Sequence, residues 1–376
     1  MAAPSSKPLR GWPLLRLLAF AVAVATLVHW AVFEAYVIPS ASMEHSLLVG
    51  DYLLVSKLHY GAITPQTPLQ LPLIFQKLPG LGWPTYSTAL QLPPYRLPGF
   101  SAVRRNDVVV FHLPTEQQRP PDLRTHLVKR CVAVAGDTVA IRQGQVLVNG
   151  QLAAGAGEFQ ATYFLTLAGP DETVRQALRA QQVHDYTQPD GLPALTTDPA
   201  TGALGYLINC PAGVADYFRQ QPAVQVRAVP AGNGPALFPD AADFQVSGIN
   251  SAVPRRWQLD AYGPLPVPRQ GQVLTLTPAN AAIYYKIIAQ YEHNQGITWA
   301  NGVIRQHGRP LTHYTIKQNY YFVLGDNRPA SEDSRFWGFV PEDHLVGKAV
   351  LVWLSLDPYA GWGQKVRWSR LLRSIN

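Results

Sequence analysis

Apolar and polar positions divide the chain into segments of different texture. Leu17–Phe33 reads LLAFAVAVATLVHWAVF, a 17-residue run interrupted only by Thr26 and His29. That is the short end of what spans a bilayer as a helix, roughly 17–25 residues. Residues 51–56 (DYLLVS) predict a short strand. Residues 62–102 are rich in Pro and Leu with few charges, which predicts a long irregular connection; its apolar stretch 68–83 is too broken by Pro and Gly for a second span. The runs 107–111 (DVVVF) and 127–134 (LVKRCVAV) predict strands, the second followed by the turn Gly136-Asp137. TVAIRQGQVLVNG alternates around Gln143-Gly144 and predicts a hairpin ending at Asn149-Gly150. From about 151 to 315 the texture changes. Helices are predicted from about Asp171 to Gln181 and from about Pro278 to Glu292, the latter with Thr277 as N-cap and Asn294 to Gly296 as its stop. Short strand-like pieces, ALGYLIN and VLTLT, surround them, and the stretch reads as an inserted subdomain. Residues 319–324 (NYYFVL) and 348–354 (KAVLVWL) return to buried strand character. No internal repeat is apparent.

Charge orients the first segment. Lys7, Arg10 and Arg16 precede the apolar run and Glu34 follows it, so the N-terminus is expected in the cytoplasm and the remainder outside. Trp12 and Trp30 suit the two interfaces. A cleavable secretory signal ending near Ser40-Ala41-Ser42 is the competing reading of the same pattern. The apolar side chains of 62–102 have two readings as well: a partner or membrane surface, or ordinary packing across the domain. With 376 residues, 47% of them hydrophobic, the chain can bury one large core or two smaller ones, and its 33 prolines argue against an all-helical fold. The net charge of +7 contains no run of five or more Lys and Arg, and neither a zinc spacing nor a nucleic-acid module accompanies it. A mildly basic surface near anionic lipid is the simpler reading, with no nucleic acid as partner. Cys131 and Cys210 are too few for a disulfide framework, and whether they pair stays open.

Three segments carry chemistry. Pro39-Ser40-Ala41-Ser42-Met43 follows the apolar run at once. Ser42, between small residues at the expected start of a strand, can serve as a nucleophile, with its own N–H and the Ser40 hydroxyl as oxyanion donors; taken alone, such a segment is more often a simple turn. In His126-Leu127-Val128-Lys129-Arg130-Cys131-Val132 a lysine sits inside an apolar strand. Desolvation disfavours its ammonium, so a buried Lys129 can act as a general base, whereas on a solvent-facing edge it would be ordinary. Alternation permits either face. Residues 325–335, Gly-Asp-Asn-Arg-Pro-Ala-Ser-Glu-Asp-Ser-Arg, form a polar loop ahead of an apolar run. Ser331 can bond to Lys129, and Asp333 with Arg335 can form a supporting ion pair; the plainer reading is a solvated turn. A fourth segment, Arg104 to Phe111, reads as a turn into a core strand.

Together these segments resemble the type I signal peptidase family. The matching motifs are P-S-x-S-M followed by G-D-Y-L-L-V-S-K, then R-x-D-V-V-V-F, then L-V-K-R-C-V-A-V-A-G-D, and last G-D-N-R…S-x-D-S-R-x-W-G-F-V-P…L-V-G-K-A, in the family's order. The match covers residues 36–61, 103–150 and 316–350. The resemblance implies a mainly β fold: an antiparallel catalytic sheet over 36–150 and 316–376, an inserted, non-catalytic α+β subdomain over 151–315, and one N-terminal transmembrane helix over 12–35 behind a cytoplasmic segment 1–11. It implies Ser42 as nucleophile and Lys129 as base, with Ser40 and Ser42 at the oxyanion and Ser331, Asp333, Arg335 and Asp326 in support. It implies removal of signal peptides from secretory preproteins at small-x-small sites, at the outer face of a plasma membrane, without metal or organic cofactor. The chain departs from the family at Glu44-His45-Ser46, where x-Pro-Thr is usual, and at Pro329-Ala330, where polar residues are more typical.

Other readings use the same residues. His45, His112 or His126 could complete a Ser-His-Asp triad. Self-cleaving repressors share Ser-Lys chemistry but carry a DNA-binding helix pair where this chain has its apolar run. A catalytically impaired, membrane-anchored peptide-binding β domain is the non-enzymatic alternative, and turnover separates it from a peptidase.

Overall fold

The computed structural model describes residues 11–71, 78, 80–153, 159–167, 169, 171–231, 237–239 and 257–375. Lys7, Arg10 and the rest of 1–10 lie outside that set, as does Pro170 of the Gly169-Pro170 pair that precedes the helix expected from about Asp171. The apolar run forms helix α1 (Gly11–Ala31); none of the residues of its stretch Pro13–Ala31 is buried, and only Thr26, Trp30 and Ala31 are partly covered. The helix ends earlier than the 12–35 expected for the span. Phe33–Val37 is already strand β1, pairing antiparallel with β2 (Asp51–Ser56), and its side chains alternate between the two faces.

The main sheet is antiparallel throughout. Its order is β1, β2, Leu345–Ser355, β3 (Val108–His112), β4 (His126–Ala133), Tyr320–Leu324 and Val340–Pro341, with Arg373–Ser374 added beside Leu345–Ser355. All five residues of β3 are buried. That explains why DVVVF reads as one unbroken apolar run: the strand sits inside the sheet with both faces covered. β5 (Thr138–Arg142) and β6 (Gln145–Val148) form the predicted hairpin, and Gln143 and Gly144 both take positive φ, as a tight two-residue turn demands.

The described residues of 151–315 divide between two bodies. The first is a four-stranded sheet, with Ala161–Thr166 and Leu204–Cys210 at its centre, covered by helices Glu172–Ala180 and Ala212–Arg219 over a core of its own. The Asp171 side chain caps the first helix by accepting from the Thr173 N–H (2.8 Å). The second body pairs strand Ala261–Pro266 with β5 and shares one core with Val132, Phe322 and Phe339. Its helix starts at Ala281, three residues later than predicted from Pro278. Thr277 donates its N–H to Asn280 Oδ1, which makes a turn of residues 277–280 before the helix begins. Cys131 and Cys210 are both free and buried, in different cores, which settles their pairing.

Candidate active site

The segment around Ser42 is a single 3-10 turn, Ala41–Met43, and not the start of a strand. Met43 and Leu47 are buried in the core beneath it and pin the turn to the sheet. Ser40 stands exposed at its N-cap, in extended conformation, and its hydroxyl makes no capping bond. The Ser42 N–H makes no hydrogen bond among the described residues, as expected for the first amides of a helical turn. Both donors are therefore open among the described residues.

Lys129 lies on β4 with its side chain turned inward, 3% exposed, and its Nζ donates to Ser42 Oγ at 2.6 Å. The two residues come from distant parts of the chain, and strand alternation alone left the facing of Lys129 open. Burial lowers the Lys129 ammonium below its ordinary value; Asp333, Asp326 and Glu332 work against that shift, and Arg335 adds to it. A neutral amine at hydrogen-bond distance from a hydroxyl can take its proton.

The 325–335 loop closes behind the pair. Asn327 donates its N–H to the Ser42 carbonyl (3.1 Å). Gly325 has no room for a side chain: a Cβ there would stand 2.2 Å from Ser331 Oγ and 2.5 Å from the Ser42 carbonyl oxygen. Asp333 accepts from the Gly325 N–H (3.1 Å) and pairs with Arg335 through Nε and Nη2, both at 2.9 Å. Asp326 is held in a two-pronged pair by Arg130, at 2.9 and 2.8 Å, and Arg130 also donates to Ser46 Oγ (3.0 Å). Ser331 departs from its expected role. Its Oγ is buried beside Gly325 and makes no hydrogen bond, so it does not bond to Lys129 here.

Several residues that sequence reasoning did not single out also converge. Glu44, almost fully buried, accepts from His184 Nδ1 (3.0 Å) and faces the Asn327 amide (3.5 Å). Burial raises its carboxyl, and the hydrogen bond from His184 opposes this. Arg328 donates to the Gly325 carbonyl (3.0 Å) and stacks on the Phe159 ring at 3.7 Å, while the Gln160 N–H reaches the Asp326 carbonyl (3.0 Å). His184, Phe159 and Gln160 all belong to 151–315, so that stretch touches the site directly. Arg328 lies inside the polar 325–335 loop, and Glu44 opens the Glu44-His45-Ser46 stretch where the chain departs from the family pattern. His184 carried no local signal.

No histidine meets Ser42 Oγ among the described residues. His45 is exposed with φ of 86°, a backbone region that proline cannot enter. Holding an L-residue there costs about 1–2 kcal/mol. His45→Gly is expected to raise stability by about 1 kcal/mol in urea unfolding, and His45→Pro to lower it; a glycine variant less stable than the parent would contradict this turn.

The comparisons with known proteins converge on one description. A family model described as signal peptidase, peptidase S26, matches residues 12–191 and 281–354. Signal peptidase I of Haemophilus influenzae is 35% identical over 103 residues, 27% of this chain and 28% of that protein. Signal peptidase I of Leptolyngbya laminosa is 30% identical over 152 residues, 39% of this chain and 56% of that protein. The matched stretches thus span less than two thirds of either relative. A solved signal peptidase I from Enterococcus faecalis V583 aligns with 66% of this chain and 97% of its own, at 14% identity and a TM-score of 0.20. At that score the superposition adds nothing to the sheet order given above.

Proposed function

The chain belongs to the signal peptidase family, peptidase S26, and on that footing we propose that it is a membrane-anchored serine endopeptidase that removes N-terminal signal peptides from secretory preproteins. The observation that carries the reading is the 2.6 Å contact between Lys129 Nζ and Ser42 Oγ in a buried setting.

In this mechanism neutral Lys129 takes the proton of Ser42 as Oγ attacks the scissile carbonyl carbon. The developing oxyanion meets the Ser42 N–H and the Ser40 hydroxyl. The C–N bond breaks, Lys129 returns its proton to the leaving amine, and an acyl-enzyme remains on Ser42. Water then attacks the ester, giving its proton to the same lysine, and Ser42 is regenerated. Asp333, Arg335 and Asp326 hold the surrounding backbone and make no contact with the reacting atoms.

The substrate binds as an added strand. Leu127, Val128 and Lys129 pair with β3 on one side and carry no strand on the other among the described residues. Alternation turns the Val128 N–H and C=O towards that open edge, so a peptide laid there reaches Ser42 with its backbone bonded to β4. Small side chains at the first and third positions before the cut fit this reading. The main sheet is the catalytic domain, α1 spans the plasma membrane with its N-terminus cytoplasmic, and the site stands at the outer surface.

The test is cleavage of a model preprotein by detergent-solubilised protein beside its Ser42→Ala variant. Cleavage after a small-x-small site by the parent and none by the folded variant supports the proposal. Binding without turnover by the parent would favour the peptide-binding alternative. Because the base must be unprotonated, kcat/KM should rise about tenfold per pH unit below the Lys129 pKa and then level off; a rate peaking near pH 5 would exclude the lysine as base.

A further inference from the structure

With φ of 86°, His45 holds a backbone conformation that an L-residue enters only at a cost. Such a position persists where its surroundings over-determine it. Here they grip both neighbours. Ser46 accepts from Arg130 at its Oγ (3.0 Å) and from Arg370 Nη2 at its carbonyl (2.9 Å). Glu44 accepts from His184 Nδ1 at 3.0 Å and faces the Asn327 amide at 3.5 Å. Arg130 lies on β4, Asn327 in the 325–335 loop and Arg370 beyond the strand Leu345–Ser355. Of these four partners, His184 alone comes from the inserted four-stranded body.

The same body holds the second element beside Ser42. The Gln160 N–H donates to the Asp326 carbonyl (3.0 Å), and the Phe159 ring stacks on Arg328 at 3.7 Å, just ahead of the strand Ala161–Thr166. Asp326 and Arg328 flank Asn327, whose N–H holds the Ser42 carbonyl (3.1 Å). His184 is itself fixed from both ends. Val183 before it is buried in the core of the four-stranded body. Tyr186 after it stacks on the His184 ring, with centroids 5.5 Å apart, and its carbonyl accepts from the Tyr359 hydroxyl (2.8 Å). Burial gives the His184 contact its weight. Glu44 is 3% exposed, and a buried carboxylate is costly unless it is hydrogen-bonded. Without the histidine, an amide at 3.5 Å is too long to hold it, and the carboxylate gains by turning towards water. That motion begins two residues from Ser42. We propose that the four-stranded body braces the nucleophile, with His184 as a positioning residue that keeps Ser42 Oγ on Lys129 by holding Glu44. Neither His184 nor Glu44 bonds to Ser42 Oγ or Lys129 Nζ among the described residues. The proposal rests on the reading of Ser42 and Lys129 as the catalytic pair.

The test is steady-state cleavage of a short soluble peptide and of a preprotein by the detergent-solubilised full chain, at a temperature where urea unfolding shows each variant folded. His184→Ala is expected to lower kcat about 10- to 100-fold on both substrates and to leave KM within about twofold. A loss confined to KM, or to the preprotein, would make His184 a substrate contact and overturn the brace. His184→Asn places an amide N–H on the same Cγ and should recover most of the rate; an asparagine variant no better than alanine would overturn the hydrogen bond as the cause. In a Glu44→Ala background the histidine has nothing to hold, so His184→Ala should cost little more there, and losses that multiply would overturn the route through Glu44. No turnover by the parent would overturn the peptidase reading and the brace together. Parent turnover that His184→Ala leaves unchanged would overturn the brace alone.

Discussion

Lys129→Ala is expected to lower kcat/KM for preprotein cleavage by about 10³- to 10⁴-fold. The lysine is the group that the structure places on Ser42 Oγ, at 2.6 Å, and no imidazole stands ready to replace it among the described residues. Lys129→Arg should fail almost as badly, because a guanidinium stays protonated at any working pH and has no acceptor for the serine proton. That second variant separates a base from a mere cation. If Lys129 only balanced the nearby carboxylates of Asp326 and Asp333, arginine would rescue part of the rate. If it takes the proton, arginine rescues none. Circular dichroism and binding of an uncleavable peptide check that each variant still folds and holds substrate. Substantial turnover by the alanine variant would remove lysine from the mechanism.

How much of this site was legible in the sequence depends on how local its causes are. β2, β3 and β4 announce themselves because their burial follows from side chains a few residues apart. The β5–β6 hairpin does so because Gln143-Gly144 supplies the positive φ values that the turn needs. The polar 325–335 loop stood out by composition, and the structure packs it against the Ser42 turn. What stayed hidden was set at long range. Ser42 looked like the first residue of a strand, but Met43 and Leu47 reach the core and Asn327 bonds the Ser42 carbonyl, and together these bend the segment into a 3-10 turn. Helix Ala212–Arg219 went unread because it is only eight residues long and starts behind Pro211 without a side-chain cap. The end of the expected membrane span was placed four residues late because hydropathy cannot tell the last turn of a helix from Phe33–Val37, which pairs with β2. The bond of His184 to Glu44 joins two bodies whose docking no local pattern encodes.

Asp333→Ala should be among the most destabilising single changes in the molecule, by about 3–5 kcal/mol. Asp333 is fully buried; it caps the short helix Ser334–Trp337, receives the Gly325 N–H and pairs with an Arg335 that is itself 2% exposed. Removing the carboxylate strands a buried guanidinium and frees the glycine that packs against Ser42 and Ser331, so activity should fall together with stability. Arg335→Ala should cost a similar amount for the mirror-image reason. The double variant should cost clearly less than the sum, since each single change includes the penalty of leaving the other charge alone. Acid provides an independent check. Burial raises the Asp333 carboxyl, but Arg335 and the hydrogen bonds outweigh it and hold the group below its ordinary value. Its contribution is therefore complete above the ordinary carboxylate range and is lost as pH falls through the lowered value. Urea midpoints of the parent should decline in acid more steeply than those of the double variant. Additive single costs, or identical acid profiles, would mean that the pair does not act as one unit and that the loop behind Ser42 is held by its backbone bonds alone.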